Sequence, residues 1–192
     1  YEIPLCDWSS DVCSSDLSGF TTAHENLFNE MHSTKNLFHN SEMKIYLSPK
    51  CDTTKNPLQY NDKIKLAKNI FSKYQEAFID DSQAKSILDI LKKNSDSETN
   101  LILFCGQDRY SEFIRIAENY NKKEFEFAKI DVIIGNNRNS DNIENSISAT
   151  QLRNFAKDSD YESFKKYVPK ITTESTTKYM YDLLRKGMNI NG

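Results

Sequence analysis

Leu101-Ile102-Leu103-Phe104-Cys105, running straight into Gly106-Gln107-Asp108-Arg109, is the most apolar run of the chain and the stretch that decides its class. Five successive apolar residues without polar alternation mark a strand covered on both faces, as in a parallel sheet between helical layers. The run stops at a glycine and a charged turn, and residues 110–120 resume at helical spacing. Strand, tight turn and helix in that order make half of a βαβ unit.

The same alternation extends in both directions. Upstream, residues 43–48 (MKIYLS) favour a buried strand, and a polar loop through Lys55-Asn56-Pro57-Leu58 leads to a helix over 61–71 that offers Ile64, Leu66, Ala67, Ile70 and Phe71 to a core. A short strand is predicted at 77–79, a helix over 82–93 with Ile87, Leu88, Ile90 and Leu91, and a surface loop over 94–100. Earlier still, residues 18–28 pass from a small-residue loop into a helix capped by Thr21 or Thr22. Its apolar side takes Leu27, Phe28, Met31 and Leu37, and its first turn carries His24; His32 and His39 sit in polar surroundings. Downstream come a last strand over 125–134, a polar loop over 136–144, and helices over 160–167 and 173–186 separated by Val168-Pro169. Strands alternating with helices of this length imply an α/β fold, a parallel sheet with right-handed crossovers, in one domain. Ligands of such sheets bind beyond the carboxyl ends of the strands.

Composition narrows the function classes. The 192 residues suit a single domain with a full core, and a formal net charge of -3 without a long Lys or Arg run gives no footprint for nucleic acid. No apolar segment reaches membrane-spanning length, so no membrane partner is expected. Cys6, Cys13, Cys51 and Cys105 lack zinc-site spacing and disulfide-scaffold density, which suits a reducing, cytoplasmic compartment. No carboxylate pair has metal-ligand spacing, so no metal ligand is assigned.

Residues 7–17 read DWSSDVCSSDL, the in-frame translation of a common sequencing-library adapter, and Tyr1-Glu2 fit the same adapter. Residues 1–17 are therefore expected to be a non-native fusion and are set aside from fold reasoning, Trp8, Cys6 and Cys13 included. On this reading the domain covers 18–192, its C-terminal helices begin at about 160, and its native first strand is truncated.

Ile147-Ser148-Ala149-Thr150-Gln151-Leu152-Arg153 is the stretch closest to chemistry. A Ser before a helical pattern is an N-cap, and the helix behind it turns free amides and a positive dipole end toward any group that approaches that end. Arg153 falls one turn inside from Thr150 on the same face, so hydroxyl, amide and guanidinium can converge on a phosphate. The alternative is an ordinary capped surface helix with Arg153 in solvent.

Four loops now stand at strand ends: T-x-x-H from Thr21 to His24, K-N-P-L from Lys55 to Leu58, G-x-D-R from Gly106 to Arg109 and I-S-x-T-x-x-R from Ile147 to Arg153. Together, in this order, they resemble the nucleotidylyltransferases of the Rossmann-like HIGH superfamily, and within it the phage-type cytidylyltransferase-like and nicotinamide-mononucleotide adenylyltransferase-like proteins. The resemblance covers 18–169. It implies a Rossmann-like three-layer sandwich in which His24 hydrogen-bonds the nucleotide phosphates and stabilises charge at the α-phosphate. Thr21 takes the first position of that motif and Thr22 stands beside it. It further implies that Ser148 and Thr150 hold the β- and γ-phosphates, that Arg153 neutralises them, that Gly106 and Asp108 border the nucleoside, and that Lys55 reaches a phosphate. Ala23 stands where the family has glycine.

The chemistry so implied is attack of a phosphomonoester on the α-phosphate of a nucleoside triphosphate with loss of pyrophosphate, which needs two polyanions held in line and their charge neutralised. Mg2+ is expected to arrive with the nucleotide. The first reading is adenylyl transfer from ATP to nicotinamide mononucleotide in NAD synthesis; the second is cytidylyl transfer from CTP to a phosphorylated alcohol or sugar. A third, of another class, is a non-catalytic nucleotide-binding or virion-associated module. The expected partners are a nucleoside triphosphate and a small phosphomonoester, in the host cytoplasm if phage-encoded, and a homo-oligomer is compatible with all three.

Overall fold

In a computed structural model, residues 19–107, 109–135 and 148–190 are described. The adapter-like residues 1–17, Asp108, Ile147 and the polar loop at 136–144 lie outside them. The strands are β1 (Ile45–Tyr46), β2 (Phe78–Ile79), β3 (Asp96–Cys105) and β4 (Phe127–Ile134); the helices are α1 (Thr22–Lys35), α2 (Tyr60–Ile70), α3 (Ile87–Lys93), α4 (Tyr110–Tyr120), α5 (Ala149–Lys157), α6 (Tyr161–Tyr167) and α7 (Glu174–Gly187).

β3 explains the layering. Ile102 and Phe104 face a core shared by α1, α2, α5, α6 and α7, with Phe28, Leu66, Leu152, Phe164 and Leu184 among its members. Leu101, Leu103 and Cys105 face a second core with Leu91 of α3 and Phe113 and Ile116 of α4. Alternate residues of one strand thus point into two apolar layers, which is why the run carries no polar residue. β4 lies parallel beside it, in register from Leu101 with Ile130 to Cys105 with Ile134. β1 and β2 pair in parallel as well, Ile45 with Phe78 and Tyr46 with Ile79. The architecture is the α/β, Rossmann-like one, with parallel pairing throughout the described strands.

Several boundaries differ from the sequence expectation. The single sheet expected is two two-stranded ladders among the described residues. The strand expected at 43–48 is regular only at Ile45–Tyr46, because its partner β2 offers two residues; Met43, Leu47 and Ser48 are nevertheless buried. Residues 96–100, expected as loop, begin β3. Their side chains are mostly exposed and the ladder is irregular between Asp96 and Asn100, so backbone pairing makes the strand where burial does not. The helix expected from 82 begins at Ile87, fixed there by a capping box in which Ser86 Oγ accepts from the Asp89 amide at 3.2 Å and the Asp89 carboxylate accepts from the Ser86 amide at 2.9 Å. Leu37 lies beyond the end of α1 and is 77% exposed, off the apolar side.

Two glycines fit helices to the site. Gly19 has φ +122°, and a Cβ there would stand 3.0 Å from Leu152 Cδ2, so the approach to α1 lies directly against α5. Gly187, at the end of α7, has no room for a Cβ, which would come within 1.9 Å of the Pro57 carbonyl oxygen.

A cation-lined cavity beside the start of α5

α5 opens with a reciprocal cap. Ser148 Oγ accepts from the Gln151 amide at 3.2 Å, and Gln151 Oε1 accepts from the Ser148 amide at 3.0 Å. The Ser148 hydroxyl therefore serves the helix it starts. Leu152 and Ala156 are fully buried, which sets the helix rotation and leaves Thr150, Arg153, Asn154 and Lys157 along one face at i, i+3, i+4 and i+7. Arg153 is only 5% exposed and donates Nη2 to Thr150 Oγ1 at 2.9 Å. That corrects the alternative of an ordinary helix with Arg153 in solvent.

This face borders a cavity of about 830 Å³. Its other walls are Lys50 and residues 53–56 from the loop between β1 and α2, Arg109 from the turn after β3, and Met188, Asn189 and Ile190 after α7. Lys50, Lys55, Arg109, Arg153 and Lys157 are cationic, and none of the described lining residues is a carboxylate. A chain of net charge -3 has thus concentrated five positive side chains around one hollow. Such a wall attracts anions and repels cations over several ångströms.

The loop that supplies two of those lysines is preset. Lys63 of α2 is fully buried and donates Nζ to the carbonyls of Ser48 at 2.8 Å and Lys50 at 3.0 Å. Burial lowers its pKa to about 8. Asp52 accepts from the amides of Thr54 at 2.9 Å, Lys55 at 2.6 Å and Asn56 at 3.2 Å, and from Asn56 Nδ2 at 2.7 Å. These donors hold its carboxyl well below the usual carboxylate range. Sequence reasoning passed over Lys63, Lys50 and Lys157. A lysine at a core position of an amphipathic helix was the available signal for Lys63.

His24 stands in the first turn of α1, partly buried, with Nδ1 at 3.0 Å from both the Thr21 amide nitrogen and the Thr21 hydroxyl. An amide can only donate, so Nδ1 is the acceptor and the neutral ring carries its proton on Nε2. Burial lowers the pKa to about 4, so His24 is a neutral donor at pH 7. Ala23 is the second residue of α1, and the non-glycine residues with positive φ are elsewhere; its backbone asks for no glycine.

Of the residues singled out in the sequence, Lys55, Thr150 and Arg153 meet in the cavity wall. Thr21, Thr22, His24, Gly106 and Ser148 are not among its lining residues. The Thr22 hydroxyl donates to the Val168 carbonyl at 3.4 Å, tying α1 to the chain after α6. Gly106 is exposed at the carboxyl end of β3, where its carbonyl accepts from the Arg109 amide at 3.0 Å. Arg109 reaches the wall beside Glu112, with Nη1 to Oε2 at 2.7 Å. Asp108 lies outside the described residues.

Residues 59–176, more than half of the chain, match the model of the citrate lyase ligase C-terminal domain. The chain belongs to the citrate lyase ligase C-terminal domain family. That family is nucleotidylyltransferase-like, which supports the superfamily read from the loops and enzymatic activity in general. The match takes in Lys63, Arg109, Thr150, Arg153 and Lys157 and leaves His24, Lys50 and Lys55 outside. No curated protein and no solved structure matches the chain. No helix among the described residues is long and apolar enough to cross a membrane.

Proposed function

We propose that this member of the citrate lyase ligase C-terminal domain family transfers a nucleoside monophosphate from a nucleoside triphosphate to a small anionic acceptor. The observation that carries the reading is the cavity wall: five cations, no carboxylate among the described lining residues, and the amino-terminal half of α5 with Thr150 on its first turn and Arg153 one turn further on. Thr150 and Arg153 take the β- and γ-phosphates, Lys55 reaches the phosphate of the acceptor, and Gly106 borders the nucleoside. His24 donates Nε2–H to the α-phosphate, and Thr21 fixes its tautomer through the amide and hydroxyl on Nδ1. An acceptor oxygen attacks the α-phosphorus, a new P–O bond forms, and the bond to the pyrophosphate oxygen breaks. Charge neutralisation and alignment are the whole of the catalysis such a step requires.

The described residues offer no group of three His, Cys, Asp or Glu for a metal ion, and the cavity wall has no carboxylate. Mg2+ on the triphosphate would therefore keep water and phosphate ligands, and no step is assigned to it.

The first form of the reading is adenylyl transfer from ATP to nicotinamide mononucleotide, the second cytidylyl transfer from CTP to a phosphorylated alcohol or sugar. The family's name, that of a ligase, favours a related form in which the attacking oxygen belongs to a carboxylate. Pyrophosphate release, measured with ATP and with CTP against each acceptor class, separates these forms. Triphosphate binding without pyrophosphate release under any acceptor would instead make the chain a nucleotide-binding module.

A further inference from the structure

We propose that Lys50, Lys55 and Lys157 form a second anion subsite in the same cavity, which holds the acceptor substrate: a small phosphate- or carboxylate-bearing molecule that also carries an O–H or N–H donor. The word acceptor rests on the nucleotidyl-transfer reading; the subsite itself rests on the cavity wall. An α-helix rises 1.5 Å per residue, so Lys157 stands about 10 Å along α5 from Thr150, on the same face. Arg153, one turn before Lys157, turns Nη2 back to Thr150 Oγ1, which leaves the Lys157 end of that face to a second anion. The loop opposite is held from two sides, by Lys63 Nζ on the Ser48 and Lys50 carbonyls and by Asp52 on the turn that carries Lys55. Lys50, Lys55 and Lys157 have no carboxylate within ion-pair distance among the described residues.

Asn56 adds the donor requirement. It is 5% exposed in the cavity wall, and its Nδ2 is fixed on Asp52. That orientation makes Oδ1 the acceptor, and it is buried without a hydrogen-bond partner among the described residues. A buried acceptor left this way calls for a donor from something that enters the cavity.

The test titrates orthophosphate, glycerol 3-phosphate and acetate into the chain saturated with a non-hydrolysable triphosphate. Glycerol 3-phosphate should bind saturably and more tightly than orthophosphate, with acetate marking the carboxylate alternative. Lys157→Gln and Lys50→Gln should each weaken that binding about tenfold while triphosphate affinity stays within about twofold. Both lysines are exposed, so the variants should melt as the wild type does. Absence of anion binding to the saturated protein, or an equal loss of triphosphate affinity in Lys157→Gln and Arg153→Ala, overturns the second subsite. If no triphosphate binds the wild type, nucleotidyl transfer fails as a reading. The anions titrated alone then decide the subsite: binding that depends on Lys157 supports it, and binding that does not overturns it.

Discussion

Arg153 Nη2 donates to Thr150 Oγ1 at 2.9 Å across one turn of α5, and the arginine is almost wholly buried where the cavity begins. A guanidinium does not lose its charge on burial, and Thr150 Oγ1 is among the polar groups that offset the cost here. The helix that carries it presents its amides at the same end. Both features favour an anion bound at the amino end of α5, next to Thr150.

Arg153→Ala should erase most of the discrimination between triphosphate and monophosphate. One charge-assisted contact in a partly dry site is worth roughly 1.5–3 kcal/mol, a ten- to hundredfold loss of triphosphate affinity. Arg153→Lys should restore part of it, since an ammonium cannot reproduce the planar fork. Calorimetric titration of ATP, CTP and their monophosphates checks this. A lowered melting temperature with unchanged affinities would make Arg153 a packing residue.

His24 yields a linked pair of expectations. As a neutral donor to developing charge, its replacement by Ala should lower turnover by about 10² or more and leave triphosphate affinity within a few fold. Its folded pKa of about 4 lies below the ordinary 6.5. As pH falls between those values the unfolded chain binds a proton that the folded chain refuses, so stability present above pH 6.5 is lost on the way down to 4. The loss attributable to His24 is on the order of 3 kcal/mol. Urea melts at pH 7 and 4.5 should show it in the wild type, and a smaller loss in His24→Gln; equal losses would contradict the assignment.

Much of this was legible in the residues because apolar pattern and burial coincide. The LILFC run could only be a strand between two apolar layers, and Ser148 announced α5 through a cap that the structure contains; the helices expected over 160–167 and 173–186 are α6 and α7, which the structure caps with Asp160 and Thr173. The polar start of β3 at Asp96 was not legible, since backbone pairing with β4 shapes it and the Asp96 side chain stays in water. The site divides in the same way. Thr150 and Arg153 are local, one turn apart, and a short motif finds them. Lys50 and Lys157 are far apart in sequence and line one cavity through tertiary packing alone, while the Lys63 ammonium inside the core contradicts its own polarity until the two loop carbonyls are seen.

Lys63 should contribute stability in the alkaline range. Its pKa falls from 10.5 to about 8 through burial, so between those values the unfolded chain holds a proton that the folded chain has released. By linkage, stability rises as pH rises across that window, by on the order of 3 kcal/mol. Lys63→Met removes that rise and also frees the Ser48 and Lys50 carbonyls. The variant should show a flatter stability profile from pH 8 to 10.5 and weaker binding of anions at Lys50. A profile parallel to the wild type would mean that Lys63 keeps its proton throughout.

Gly187 joins α7 to the loop that carries Lys55. A Cβ there would stand 1.9 Å from the Pro57 carbonyl oxygen, and the obstacle is backbone, which cannot swing aside as a side-chain tip would. Gly187→Ala must therefore push the end of α7 off the K-N-P-L loop. Gly187 does not have positive φ, so the cost comes from contact and not from backbone conformation. Overpacking of this kind costs about 1–3 kcal/mol, against which alanine's better helix propensity returns at most about 1 kcal/mol. Met188, Asn189 and Ile190 follow directly and line the cavity, so the displacement should loosen one wall. The expected outcome is a lower melting temperature together with weakened binding of anions on the Lys55 side, while Thr150 and Arg153, on a separate helix, keep most of their triphosphate affinity. A variant that melts like the wild type and binds every ligand equally well would show that α7 and the loop can separate without consequence for the cavity.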